Sequence, residues 1–287
     1  MHPHPFAVLR CAAFVVAAAP ALLHAATPLE EHAAELRTRA PAGFTILIEP
    51  PFVVLGDETP DLVRRRAAST VRWAVQKLKA EFFRTVPAEI IDIWLFRDSE
   101  SYNCNALALF GDTPTTPYGY YSARHHALVM NISTGGGTLV HEIVHPFMRA
   151  NFPECPSWFD EGLASLFEQS SEKSGRIRGL VNWRLPGLQR DIREGKILTF
   201  RDLTATTAAS FYFSDASGRQ GRLYAQSRYL CYYLQEHGLL RKFYHAFVAA
   251  AEKDPTGYAT LQSTLAEDDM PAFQKKWETF VLALPAP

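Results

Sequence analysis

The chain has 287 residues, of which 47% are apolar and 21% charged, enough to bury one large core or two subdomains sharing a cleft. A formal net charge of -1 and a pI near 6.8 provide no basic field for nucleic acid or an anionic membrane, so neither is expected as a partner. No internal repeat or low-complexity segment is present.

Residues 1–10 are a short, positively charged leader, and residues 11–23 (CAAFVVAAAPALL) are an apolar run of signal-peptide length, too short to span a bilayer. Small residues at Ala25 and Ala26 suit a peptidase cut there. The sequence therefore predicts a signal peptide over residues 1–25 and an exported protein, periplasmic or secreted, with an uncleaved anchor as the competing reading. Cleavage leaves Cys104, Cys155 and Cys231, an odd set that allows at most one internal bridge. A bridge from Cys155 to Cys104 would brace the segment around residue 155, and Cys231 reads as a small buried residue.

Residues 26–137 read as a strand-rich subdomain. After a polar lead-in over 27–43, residues 44–48 and 52–55 have strand character, broken by Pro50 and Pro51. Residues 61–83 place Val63, Ala67, Val71, Ala74, Leu78 and Phe82 at helical spacing. Residues 90–96 (IIDIWLF), 118–122 and 127–132 are three more strands, giving a mixed sheet. His125 and His126 fall on the turn between the last two strands and read as solvated. The glycine run TGGG over 134–137 then ends the sheet.

Residues 138–287 read as a helical subdomain that opens on TLVHEIVHPFMRANFPECPSWFDEGLASLF. Thr138 is a candidate N-cap. On a helix, His141 and His145 are one turn apart on the same face, so their imidazoles can reach one ion, while Glu142 beside them is free to work on the ion's water. Pro146 removes a backbone bond to residue 142 and predicts a kink or an early helix end. After a loop over 151–156, residues 157–160 (SWFD) have the form of a capping box that starts a second helix, with Glu161 about one turn inside it. Strand, glycine turn, helix, loop and a second helix bearing a carboxylate make the arrangement a three-ligand hydrolytic zinc site needs. The metal-free alternative is a pair of helix histidines satisfied by Glu142 and Glu161.

At these residues the chain resembles the gluzincin metallopeptidases, and in particular peptidase MA-like members. They combine HEXXH with a ligand glutamate on the next helix, often in a W-x-x-E-G-x-A segment, here Trp158 to Ala164. The resemblance implies a zincin-like fold, zinc held by His141, His145 and Glu161, and Glu142 as general base. It also implies an oxyanion donor on a later helix, for which Tyr224 in LYAQSRYLCYYL is the best match. The carboxylate expected to orient a zinc histidine falls to Asp160 or Glu168, because Ser165 stands where an acid is found in thermolysin. The absence of a G-x-M-E-N segment, with which the aminopeptidases hold a substrate's amino terminus, favours an endopeptidase or an unusual amide substrate.

Further along, Asn182, Trp183 and Arg184 are candidates for the cleft wall or for a structural stack. Residues 223–234, 240–251 and a last helix capped by Asp269 carry aromatic stripes that read as core. The expectation is thus an α+β protein, with a mixed sheet and helices in the N-terminal half and a mostly helical C-terminal half. Its expected function is zinc-dependent hydrolysis of a peptide or protein. A non-catalytic zinc-binding periplasmic scaffold and a hydrolase of a non-protein amide, such as a cell-wall peptide, are the rivals.

Overall fold

The computed structural model describes residues 1, 26–214 and 216–287, so the expected signal peptide falls, apart from Met1, outside the described residues. The lead-in contains a helix, α1 (Pro28–Arg39). The Thr27 hydroxyl accepts from the Glu30 amide at 3.3 Å, and the Glu30 carboxylate accepts from the Thr27 amide at 2.7 Å, a reciprocal capping box that starts it. Strands β1 (Thr45–Glu49) and β2 (Phe52–Gly56) follow. Next, α2 (Pro60–Arg66) runs through a π-helical stretch, Ala67–Arg72, into α3 (Trp73–Glu81).

After β3 (Ile91–Phe96), the short α4 (Ser99–Asn105) is capped by Asp98, which accepts from the Ser101 amide at 2.8 Å. With β4 (Gly119–Ser122) and β5 (Ala127–Asn131) the strands form a five-stranded sheet of order β1-β2-β3-β5-β4. β2, β3 and β5 are parallel, while the edge strands β1 and β4 run antiparallel to their neighbours. The sheet is therefore mixed, as the strand order implied.

Period-two alternation divides each central strand between two apolar layers. Val53, Leu55, Trp94, Phe96, Ala127 and Val129 join α1 and α4 on one face. Phe52, Val54, Ile93, Leu95, Leu128 and Met130 face the opposite way, into a core shared with the π-helical stretch, α3 and the C-terminal helices. A strand covered on both faces is apolar throughout, which explains the run IIDIWLF.

α5 (Gly137–Asn151) and α6 (Ser157–Leu166) carry the motif. α5 is preceded by Gly136 as N-cap, two residues before the expected Thr138, and it does not end at Pro146. The interior proline costs about 3 kcal/mol, and the burial of Phe147 and Met148 beyond it stabilises by about 1.5–3 kcal/mol each, so the helix continues to Asn151. Gly137 is required by crowding, since a Cβ there would lie 2.0 Å from the Glu168 carbonyl oxygen.

The hairpin β6 (Ser170–Lys173) and β7 (Arg176–Gly179) leads to α7 (Leu185–Arg193), α8 (Phe200–Thr204) and α9 (Ala208–Tyr212). The long α10 (Arg219–Glu236), α11 (Leu240–Ala250), α12 (Tyr258–Leu265) and α13 (Met270–Ala283) complete the described chain. The aromatic stripes are core as expected: Phe243, Phe247, Phe273 and Trp277 are fully buried. Asp269 caps α13 by accepting from the Ala272 amide at 2.9 Å.

α10 packs closely on α6. Gly162 allows it, because a Cβ there would sit 3.0 Å from the Cys231 sulfur and the Ser227 carbonyl oxygen. The buried Arg228 donates to the Ser165 carbonyl at 2.9 Å, the Leu166 carbonyl at 3.4 Å and the Leu180 carbonyl, satisfying the end of α6.

The Cys155–Cys104 bridge is not formed; Cys104, Cys155 and Cys231 are free thiols. Cys104 belongs to α4, on the sheet face opposite the motif helices, whereas Cys155 sits in the turn between them and packs against the other core. Cys231 is buried as expected. No helix among the described residues is long and apolar enough to cross a membrane.

Candidate metal centre

His141 and His145 project from one face of α5, with ring centroids 4.9 Å apart. Glu161, on the second turn of α6, meets them: its Oε2 lies 3.2 Å from His141 Nε2 and 3.8 Å from His145 Nε2. Each of the three residues offers one ligand atom, all within 4.8 Å of one another. Bonds of about 2.0–2.1 Å at a tetrahedral ion separate its ligands by roughly 3.3 Å, so the spacing fits one small divalent cation. The fit has a second sign: Glu161 is only 5% exposed, and its Oε2 makes no well-formed hydrogen bond and faces the two imidazoles, so an ion between them would satisfy it. The group can hold a metal ion.

Both candidate orienting carboxylates stand at the centre, one beside each histidine. Asp160 Oδ1 is 2.9 Å from His145 Nδ1. Glu168 Oε1 faces His141 Nδ1 at 3.3 Å, outside hydrogen-bond geometry in this conformation. Each imidazole thereby keeps Nε2 turned to the centre, the outer arrangement that metal-ligating histidines adopt. Asp160 does this work in place of the expected capping box: Pro156 is the N-cap of α6 and no side chain caps it. Glu168 is held in turn by Arg184, through Nε to Oε2 at 3.1 Å and Nη2 to Oε1 at 2.9 Å, and by Asn182 Nδ2 at 3.4 Å.

The fields follow from this packing. Burial alone would lower the His141 pKa, but the carboxylates of Glu161, Glu168 and Glu142 raise it well above the usual imidazole range. His145 is likewise raised: burial lowers it, but Asp160 and Glu161 together raise it further. Burial would raise Glu161 and Glu168, yet His141 beside both, Tyr212 at Glu161 and Arg184 at Glu168 hold each at about 2. A metal ion would bind there in competition with protons on the imidazoles.

Glu142 lines a cleft of about 710 Å³ together with His141, Glu168, Arg184, Trp183 and Tyr224. The start of edge strand β4, Gly119, and the preceding Tyr118 form part of its wall. Tyr224 also feels Glu161: burial first, then that carboxylate, raises its hydroxyl above the usual phenol range. Arg184 is both cleft wall and stack, its guanidinium 4.2 Å from the Trp183 ring centroid and 5.3 Å from that of Tyr224. Asn182 is buried behind the wall and meets Tyr229, whose hydroxyl accepts from its amide at 3.1 Å. His125 and His126 stay on the β4–β5 turn, where His126 pairs with Glu89 at 2.9 Å. They take no part in the centre.

Tyr212, which the sequence did not single out, donates from its hydroxyl to Glu161 Oε1 at 2.9 Å. α9 is too short for a periodic signal, and the only local cue is the Thr207 cap three residues before Ser210. Compared with known proteins, the chain matches no protein-family model and no curated protein.

Proposed function

We propose that the protein is a zinc-dependent hydrolase of the gluzincin type with a zincin-like fold, and that it cleaves peptide bonds. The observation that carries this reading is the convergence of His141 Nε2, His145 Nε2 and the buried Glu161 Oε2, with Glu142 on the wall of the adjoining cleft. Three protein ligands leave a coordination position open, and zinc supplies Lewis acidity and draws the pKa of bound water towards neutrality.

This chain's residues supply the remainder. Glu142, next to a ligand in sequence and exposed to the cleft, takes a proton from the attacking water and returns it to the leaving nitrogen. Tyr224 keeps its proton because burial and Glu161 oppose its ionisation, so its hydroxyl remains a donor for the developing oxyanion. The free edge of β4 beside the cleft gives an extended peptide backbone a partner for strand-like pairing, which favours a peptide or protein substrate. Export to the periplasm or beyond belongs to the proposal and rests on the leader at residues 1–25.

The test is zinc-loaded protein against a broad peptide library, with and without a chelator. Cleavage should be abolished by the chelator and fall about 10²–10⁴-fold in Glu142→Gln, while that variant keeps its zinc. Stoichiometric zinc with no cleavage by wild-type protein would favour a binding scaffold. Cleavage confined to cell-wall peptides would move the substrate to a non-protein amide.

A further inference from the structure

Two tyrosines stand near Glu161, and their settings differ. Tyr224 lines the cleft and Tyr212 does not. The Tyr212 hydroxyl is instead spent on Glu161 Oε1 at 2.9 Å, leaving Oε2 as the atom that faces both histidines.

Contacts tether the five-residue helix that ends at Tyr212. Phe211, fully buried, has its ring centroid 5.5 Å from that of Tyr212 and 5.2 Å from that of Tyr224. Arg219 ties the helix down through Nη1 to the Ser210 carbonyl at 2.5 Å and Nη2 to the Ser210 hydroxyl at 3.0 Å. Gln220 Nε2 donates to the Tyr212 carbonyl at 3.3 Å. The segment presents the Tyr212 hydroxyl to one carboxylate oxygen, although the residue is 44% exposed.

We propose that Tyr212 is a positioning residue of the metal centre, occupying Glu161 Oε1 so that the glutamate offers a single oxygen to the ion. This rests on the metal-centre reading above. Tyr212 acts on the ligand through Oε1, while Tyr224, which also stands beside Glu161, faces the cleft. Without the hydroxyl, Glu161 is free to rotate or to present both oxygens, which weakens the grip on zinc and alters the coordination number; outer partners of this kind are typically worth 10–100-fold in metal affinity.

The experiment compares wild type, Tyr212→Phe and Tyr224→Phe by competition for zinc with a chromophoric chelator, and by the visible absorption of the cobalt-substituted proteins. Thermal unfolding of the metal-free forms controls for a merely structural role. The expected result is a 10-fold or greater loss of zinc affinity in Tyr212→Phe, an altered cobalt spectrum and an unchanged metal-free melting temperature, with a smaller loss of affinity in Tyr224→Phe. Wild-type protein that takes up zinc, with Tyr212→Phe equal to it in affinity and spectrum, overturns the role of Tyr212 alone. Wild-type protein that takes up no zinc overturns the metal-centre reading and this inference together.

Discussion

Glu168 joins the metal group to the cleft wall, because one carboxylate faces His141 Nδ1 at 3.3 Å and takes two bonds from Arg184. Replacing it by Gln keeps the shape but removes the charge opposite both cations. Zinc affinity measured by chelator competition should fall about 10–100-fold in Glu168→Gln, and an unchanged affinity would remove Glu168 from the centre. The ligand residues were legible in the sequence because helical spacing puts His141 and His145 on one face and a second helix start puts Glu161 one turn in. Their orienting partners were not: spacing offered Asp160 or Glu168 as alternatives, and only the angle between α5 and α6 reveals that each serves a different histidine. Tyr212 was illegible for a related reason, since it comes from a five-residue helix with no periodicity of its own.

Gly137 and Gly162 set the approach of α5 and α6 to their surroundings. A methyl group on Gly137 would collide with the Glu168 carbonyl oxygen at 2.0 Å, a backbone atom that can retreat only by moving the end of α6. Gly137→Ala should therefore lose about 1–3 kcal/mol of stability, read as a lowered denaturation midpoint, and should weaken zinc binding by displacing Glu168. A midpoint at or above wild type would show that α5 and α6 are not so tightly apposed. The glycine run could be read as the end of the sheet, but not as a spacing device, since the residue it avoids lies about thirty positions downstream. In the same way Pro146 suggested a broken helix from local rules alone, while the burial of Phe147 and Met148 beyond it carries α5 on to Asn151.

Across the whole molecule, one core runs from the sheet face formed by Phe52, Val54 and Ile93 through α5 and α6 to Trp277 and Val281 on the last helix. The centre thus sits on elements braced from both halves of the chain, a rigid setting that favours a preformed site. The mixed sheet and the aromatic C-terminal helices were legible because buried strands are continuously apolar and amphipathic helices repeat every three to four residues. α1, the short helices α7 to α9 and the β6–β7 hairpin were not, being held by caps and distant contacts instead of long periodic runs. The absence of a Cys104–Cys155 bridge follows from the same architecture, which puts the two thiols on opposite sides of the sheet. That His141, His145 and Glu161 together hold one ion is tested most directly by the zinc content of wild-type and Glu161→Ala protein after equilibration with zinc and removal of the excess at neutral pH. One equivalent in the wild type and almost none in Glu161→Ala is the predicted result; a wild type without zinc, or a Glu161→Ala variant that retains a full equivalent, would contradict it.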